Sequence, residues 1–302
     1  MLRLTVAGYA PEDSSHSRAL DLFRRRLQEI APEIVVEIVW DIVDMGRPVG
    51  DLIGLVERGD FTLCYLSTSY LTDRVPELAL MDTPFRFEDL ASAHRTLDGS
   101  AGRLLSEATS KVTGLEVLGY WDNGFRHLTN RLRDVRRPED CSGMRIRVQP
   151  SVIHERMIEL WGAVPVPTDL KDGIDLIASG GVDAQENPLA NTVAYGIEGH
   201  HRHISLTGHV YGARGLYANQ DAVRGWSSVS RRAIEEALRD AIAWQRVAAA
   251  EEETSILNSL RRDGVEVVEL TDSQRAEFSD AIAPLRADVD TQLPKKLLEA
   301  VT

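Results

Sequence analysis

The chain has 302 residues, with 34 Lys+Arg against 47 Asp+Glu and a formal charge of −13. That acidic balance argues against a nucleic-acid binder, whose face is ordinarily basic, and no stretch approaches the roughly 18 consecutive apolar residues of a membrane helix. Two cysteines, Cys64 and Cys141, are too few for a disulfide scaffold or a four-thiolate zinc site, and neither sits in a CxxC pair. At roughly 100–200 residues per domain, the length predicts two domains.

Leu2–Ala7 reads as a strand, followed by a polar turn over 8–15. Leu20, Phe23, Leu27 and Ile30 at helical spacing predict a helix over 18–30, capped by Ser15 or Ser17 and ended by Pro32. A strand over 34–40, a helix over 50–58 and a strand over 61–67 complete a β-α-β-α-β opening, which predicts a parallel sheet flanked by helices. Helical stretches over 88–97 and up to Ser110 precede a strand over 115–120 and a polar continuation over 121–130. A second β-α-β series runs through 143–148, 152–162, 163–167 and 170–179. It reaches a strand over 182–185 that closes at Glu186-Asn187-Pro188. Residues 228–262 hold one helical pattern without Pro or Gly, about 50 Å long at 1.5 Å per residue, long enough to brace two domains. A strand over 265–270 and a C-terminal helix carrying Phe278, Ile282 and Leu285 end the chain.

His200-His201-Arg202-His203 invites a metal reading, but no acid or cysteine lies at ligand spacing and Arg202 would repel a cation, so a solvated loop is expected. His154 reads as a surface or capping residue of its helix. No GxSxG elbow, P-loop or GxGxxG is present, and neither a metal nor a cofactor is expected. Ser67 and Thr68 end a strand and can present hydroxyls to a ligand. Alternation in Met144-Arg-Ile-Arg-Val148 puts Arg145 and Arg147 on one face. Such arginines ordinarily lie on an exposed face; the functional alternative is a guanidinium fork that holds a carboxylate by two parallel hydrogen bonds. Arg126 is a second candidate, and Asn187 offers an amide where ligands of open α/β sheets sit, at the carboxyl end of a strand.

Three stretches carry a resemblance: 118–130 (LGYWDNGFRHLTN), 138–148 (PEDCSGMRIRV) and 181–188 (GVDAQENP). With the long helix and weaker matches at 75–78, 82–85 and 205–211, they make the chain similar to the solute-binding proteins of tripartite ATP-independent periplasmic (TRAP) transporters, the DctP-like family. The resemblance implies an α/β, two-lobed periplasmic-binding-protein-like fold, with hinged lobes that each hold a mostly parallel sheet, and the long helix spanning both. The first lobe would be 1–122 with about 212–245, the second 123–211 with about 246–302, and the hinge strands would lie near 121–130 and 205–214. It further implies capture of a small organic acid by lobe closure and delivery to TRAP permease subunits, by a periplasmic monomer that is not an enzyme and binds neither nucleic acid nor membrane. The carboxylate clamp falls on Arg147, the second arginine on Arg126 and the ligand-facing amide on Asn187. Gln185 and His209 lie in matching stretches and join the contacts; first-lobe contacts fall on Tyr9, Asp13 or His16, and Ser67 or Thr68. The chain starts Met1-Leu-Arg-Leu-Thr-Val without a leader, as a cytosolic protein or a mature exported one would; beside the resemblance this fits a mature or recombinant exported form. The rival expectations are an enzyme on a similar fold, with Glu186 or His209 as acid/base, and a cytosolic effector-sensing domain.

Overall fold

A computed structural model describes Leu2–Val301. From the N-terminus the elements are β1 (Leu2–Ala7), α1 (Ser15–Ile30), β2 (Ile34–Val39), α2 (Asp51–Glu57), β3 (Leu63–Ser67), α3 (Ala79–Asp82), α4 (Leu90–Asp98) and α5 (Ser100–Val112). They continue with β4 (Leu115–Asn130), β5 (Arg145–Val148), α6 (Val152–Leu160), β6 (Val164–Pro167), α7 (Leu170–Ala178), β7 (Ala184–Asn187) and α8 (Leu189–Ala194). The last third holds β8 (His203–Asn219), α9 (Gln220–Arg224), α10 (Ser228–Arg262), β9 (Glu266–Glu269), α11 (Asp272–Ala281), α12 (Ala283–Gln292) and α13 (Lys295–Leu298). The chain divides into two compact units, Met1–Ser67 with Gly102–Asp122 and Ala213–Glu251, and Thr68–Ala101 with Asn123–Gly212 and Glu252–Thr302.

In the first unit β1 lies between β2 and β3, parallel to both, and the second half of β8 adds antiparallel to β3. Leu20, Phe23 and Leu27 of α1 are buried with Leu4 and Val6 of β1, so the helical period of one element meets the apolar positions of the other. α1 starts three residues before the predicted start at 18, because the Ser14 hydroxyl accepts from the Ser17 N–H at 3.1 Å and caps it.

In the second unit β5 lies between β6 and β7, parallel to both, β7 pairs antiparallel with β4, and β9 runs parallel to the first half of β8. Residues 68–101 belong to this unit and not to the first: Asp82 accepts from Thr72 at 2.9 Å and from Ser151, the cap of α6, at 3.4 Å, and Arg86 pairs with Asp290 of α12. The polar residues 121–130 are strand throughout, because His127 to Asn130 pair in register with Asn187 to Ala184 and are buried there. The C-terminal helix is divided at Ile282, since Pro284 fits the first turn of a new helix and not the interior of an old one. His154, expected at the surface, is fully buried, as is His201, which hydrogen-bonds Thr129 at 2.9 Å instead of standing in a solvated loop.

α10 spans the predicted residues, with 228–251 in the first unit and the rest in the second. Both cysteines are free and buried, and burial pushes the Cys141 thiol up to about 12 and that of Cys64 further, which leaves both unreactive. Among the described residues no helix is long and apolar enough to cross a membrane.

Candidate functional site

Two groups of candidate residues emerge, one in each unit. In the second unit the register Arg147↔Gln185 sets these side chains side by side on one face of the sheet, and Asn187 follows two residues along β7 on the same face. All three are buried. Asn187 donates to the Gln185 side-chain oxygen at 3.3 Å and accepts from Asn191 at 3.2 Å, while Gln185 donates to Thr192 at 3.3 Å, so the amides form a short ladder anchored in α8. Arg147 is 3% exposed, yet its hydrogen bonds go to neutral oxygens of Thr168, and no carboxylate among the described residues lies within 4.0 Å of it. Burial lowers its pKa, with Tyr70 and Glu186 opposing, but a guanidinium keeps its proton. Arg145, expected on the same face, is exposed at the first position of β5.

Arg126 has a different arrangement. It shares the opposite face with Glu186 and donates to it through Nε and, at 2.7 Å, through Nη2 to both Oε1 and the backbone oxygen. His209 and His154 approach the same carboxylate at 3.3 and 3.5 Å. Burial alone would push the Glu186 carboxyl up, but the Arg126 charge and the two imidazoles hold it well below the usual range. Burial brings His209 down to about 4, and its ring stands edge-on to Trp161 at 5.2 Å. The fork of Arg126 and the Nε2 of His209 are thus both engaged on Glu186.

In the first unit Tyr9 and His16 are brought together around Tyr65. Tyr65 stacks with His16 at 5.4 Å, lies 5.2 Å from both Tyr9 and Trp121, and its hydroxyl accepts from the Tyr9 N–H at 3.2 Å. Arg214 covers the Tyr9 ring at 4.6 Å, a cation–π contact in a desolvated setting. It is the cross-strand partner of Ser67, so one candidate hydroxyl and this arginine share a rung. His16 Nε2 hydrogen-bonds the Asp122 carbonyl at 2.8 Å, and Gln245 of α10 brackets the same peptide, accepting from Asp122 N at 2.9 Å and donating to its oxygen at 2.8 Å. Burial, then the Arg214 charge, hold His16 well below its ordinary pKa, so it is neutral and Nε2 carries the proton toward the carbonyl. Asp13, the alternative to His16, is exposed. Thr68 is buried in the second unit at the start of a 3-10 turn, one residue past the end of β3.

Sequence reasoning missed Arg214, Tyr65, Thr168 and Gln245. A lone arginine inside the otherwise apolar and small run 210–218 was the available signal for Arg214. The burial of Glu186, Arg126, His154 and His209 together had none, because the four come from three strands and a helix far apart in sequence.

The neutral histidines have a consequence for stability. His201 and His209 titrate at about 4 in the fold and His16 is lowered as well, whereas each takes up a proton near 6.5 once unfolded. Between those values the unfolded chain binds more protons, so stability falls as pH drops through that window. Urea unfolding at pH 5 is expected to take up roughly three protons beyond those taken up at pH 8, with a lower midpoint. A midpoint unchanged between pH 7 and 5 would contradict the neutral assignment.

Fold and site together define an α/β protein that keeps an arginine buried beside an amide ladder with no carboxylate among the described residues within 4.0 Å of it. The sequence matches the family described as bacterial extracellular solute-binding protein, family 7 (DctP), over residues 6–292. It is 33% identical over 229 residues to the 2,3-diketo-L-gulonate-binding periplasmic protein YiaO of Escherichia coli, covering 75% of this chain and 69% of that one. It is 30% identical over 247 residues to a solute-binding protein of Verminephrobacter eiseniae, covering 82% and 72%. A TRAP periplasmic solute-binding protein from Polaromonas sp. JS666, solved with bound D-erythronate, superposes with a TM-score of 0.92 at 26% identity over 100% of this chain and 98% of that one. The chain belongs to family 7 of the bacterial extracellular solute-binding proteins.

Proposed function

We propose that this protein captures a small organic acid in the periplasm by its carboxylate, through Arg147, and delivers it to the membrane permease subunits of a TRAP transporter. The observation that carries the reading is the buried Arg147 guanidinium with no carboxylate among the described residues within 4.0 Å. A protein charge left without a contacting counter-charge in a desolvated place calls for an anionic ligand, and the fork geometry suits a carboxylate. The names of relatives support the class: one binds 2,3-diketo-L-gulonate, others C4-dicarboxylates, and the structural relative D-erythronate.

In this reading the two units are hinged lobes, with hinge strands near 121–130 and 205–214, and the ligand favours their closed arrangement. Asn187 and Gln185 add amide contacts in the second lobe; Tyr9, His16, Ser67 and Thr68 are the further contacts. Arg126 and His209 act behind them by holding Glu186. The protein performs no chemistry on its cargo: Glu186, the candidate base of the enzyme alternative, is fully buried and already held by a guanidinium and two imidazoles.

The test is a thermal-shift screen of refolded protein against organic acids, with neutral sugars and amino acids as controls. A specific ligand at about 100 times its Kd stabilises the fold by roughly 2.7 kcal/mol. Shifts confined to acids, and unchanged acid recovered after incubation, are the expected results. Shifts from neutral sugars alone would overturn the reading, and turnover of the acid would favour the enzyme.

A further inference from the structure

A guanidinium has two edges on which a carboxylate can form paired hydrogen bonds, Nε with Nη2 along the side and Nη1 with Nη2 at the end. In Arg147 the side edge is taken. Nε donates to the Thr168 hydroxyl at 3.3 Å, and Nη2 donates to the Thr168 carbonyl at 2.7 Å. Thr168 is itself fixed: it follows β6 directly, its N–H donates to the Val148 carbonyl at 3.1 Å, and the next residue, Asp169, caps α7. The end of the strand that carries Arg147 and the start of α7 are therefore tied through the residue that holds the side edge.

The same stem is covered from α7 by Gly173. A Cβ on Gly173 would come within 2.5 Å of Nε, 3.1 Å of Cδ and 3.2 Å of Cζ of Arg147. Glycine weakens a helix interior relative to alanine, and Gly173 has no left-handed backbone that would require it. What it provides is room: bare backbone passes over the guanidinium, and a buried arginine has little space in which to yield.

We propose that Thr168 and Gly173 are positioning residues that hold Arg147 so that only its Nη1–Nη2 end is offered to the ligand carboxylate. This rests on the acid-binding reading above and adds the direction of the grip. The carboxylate lies in line with the arginine arm, so the rest of the acid extends onward from the guanidinium and not alongside β5.

The experiment uses wild type, Gly173→Ala, Thr168→Val, Arg147→Ala and the Gly173→Ala/Arg147→Ala double variant, all refolded from denaturant to shed acid carried from the host. Melting without added acid is the first readout. Gly173→Ala is expected to lower Tm in the wild-type background and to raise it in the Arg147→Ala background, where the clash is gone and only the better helix former remains. Equal shifts in both backgrounds would overturn the proposal. Calorimetric affinity for D-erythronate and for succinate is the second readout. Gly173→Ala is expected to weaken binding at least tenfold and Thr168→Val several-fold. Unchanged affinity in both would overturn the proposal even if Tm moved, since a purely structural role moves Tm alone. Failure of wild type to bind either acid bears on the acid-binding reading instead, and the melting cycle then decides this one.

Discussion

Arg147→Ala is expected to remove most of the acid affinity while the ligand-free protein stays folded. Removing a buried, hydrogen-bonded partner of a charged ligand group costs on the order of 2–5 kcal/mol, and each 1.4 kcal/mol is about tenfold in affinity. The loss should therefore lie between roughly thirty-fold and several thousand-fold. Stability should move far less. The substitution forfeits two hydrogen bonds to Thr168 and the packing of the arm, but it also relieves the burial of a charge that has no carboxylate among the described residues within 4.0 Å. Titration calorimetry with the best acid from the screen, beside melts of the ligand-free variant, separates the two effects. Arg147→Lys keeps the charge and loses the planar fork, so its affinity should fall between wild type and alanine. Tight binding by the alanine variant would sink the assignment of the clamp.

Glu186→Gln is expected to be the most destabilising change near the site. Glutamine has nearly the shape of glutamate but leaves the Arg126 guanidinium, 3% exposed, without its counter-charge. Breaking a buried pair in this one-sided way costs about 3–5 kcal/mol. At this chain length that corresponds to a fall in Tm on the order of 10 °C. The volume-matched apolar double variant Arg126→Met/Glu186→Leu should recover much of the loss, because it removes both charges together. A single variant that melts within about one degree of wild type would mean that Arg126 finds compensation elsewhere. Two buried arginines of one unit, on opposite faces of its sheet, thus differ in their surroundings: Arg126 meets a carboxylate from its own chain, and Arg147 has none among the described residues within 4.0 Å.

Much of the architecture was legible in the pattern of residues. The apolar positions of α1, the run from Leu2 to Ala7 and the uninterrupted 228–262 helix follow local periodicity, which depends on nothing beyond a few neighbours. Arg147 was legible as well, because a charge in an alternating strand stands out against its neighbours. Its meaning was not: exposed Arg145 and buried Arg147 share the same strand and the same alternation, and only α7 covering the second distinguishes them. His154 misled for the same reason. Its helix looks ordinary, and it is Glu186, thirty-two positions away in sequence, that makes a buried imidazole tolerable there. The polar stretch 121–130 carried no strand signal because residues buried on both faces, and satisfied by cross-strand partners and side chains from other elements, show no alternation of polar and apolar.

Local periodicity and residue type were enough for many of the elements, the α/β class and the clamp candidate, and the stretches 118–130, 138–148 and 181–188 carried the family resemblance, since helix and strand patterns, short motifs and a conspicuous arginine are properties of short segments. The partner of each charge was another matter. Arg126 with Glu186, Arg147 with Thr168 and Gly173, Arg214 with Tyr9, and Gln245 with the Asp122 peptide all join residues from separate elements. Whether a buried charge is neutralised or kept for a ligand depends on such long-range pairs, and these exist only once the chain has closed on itself.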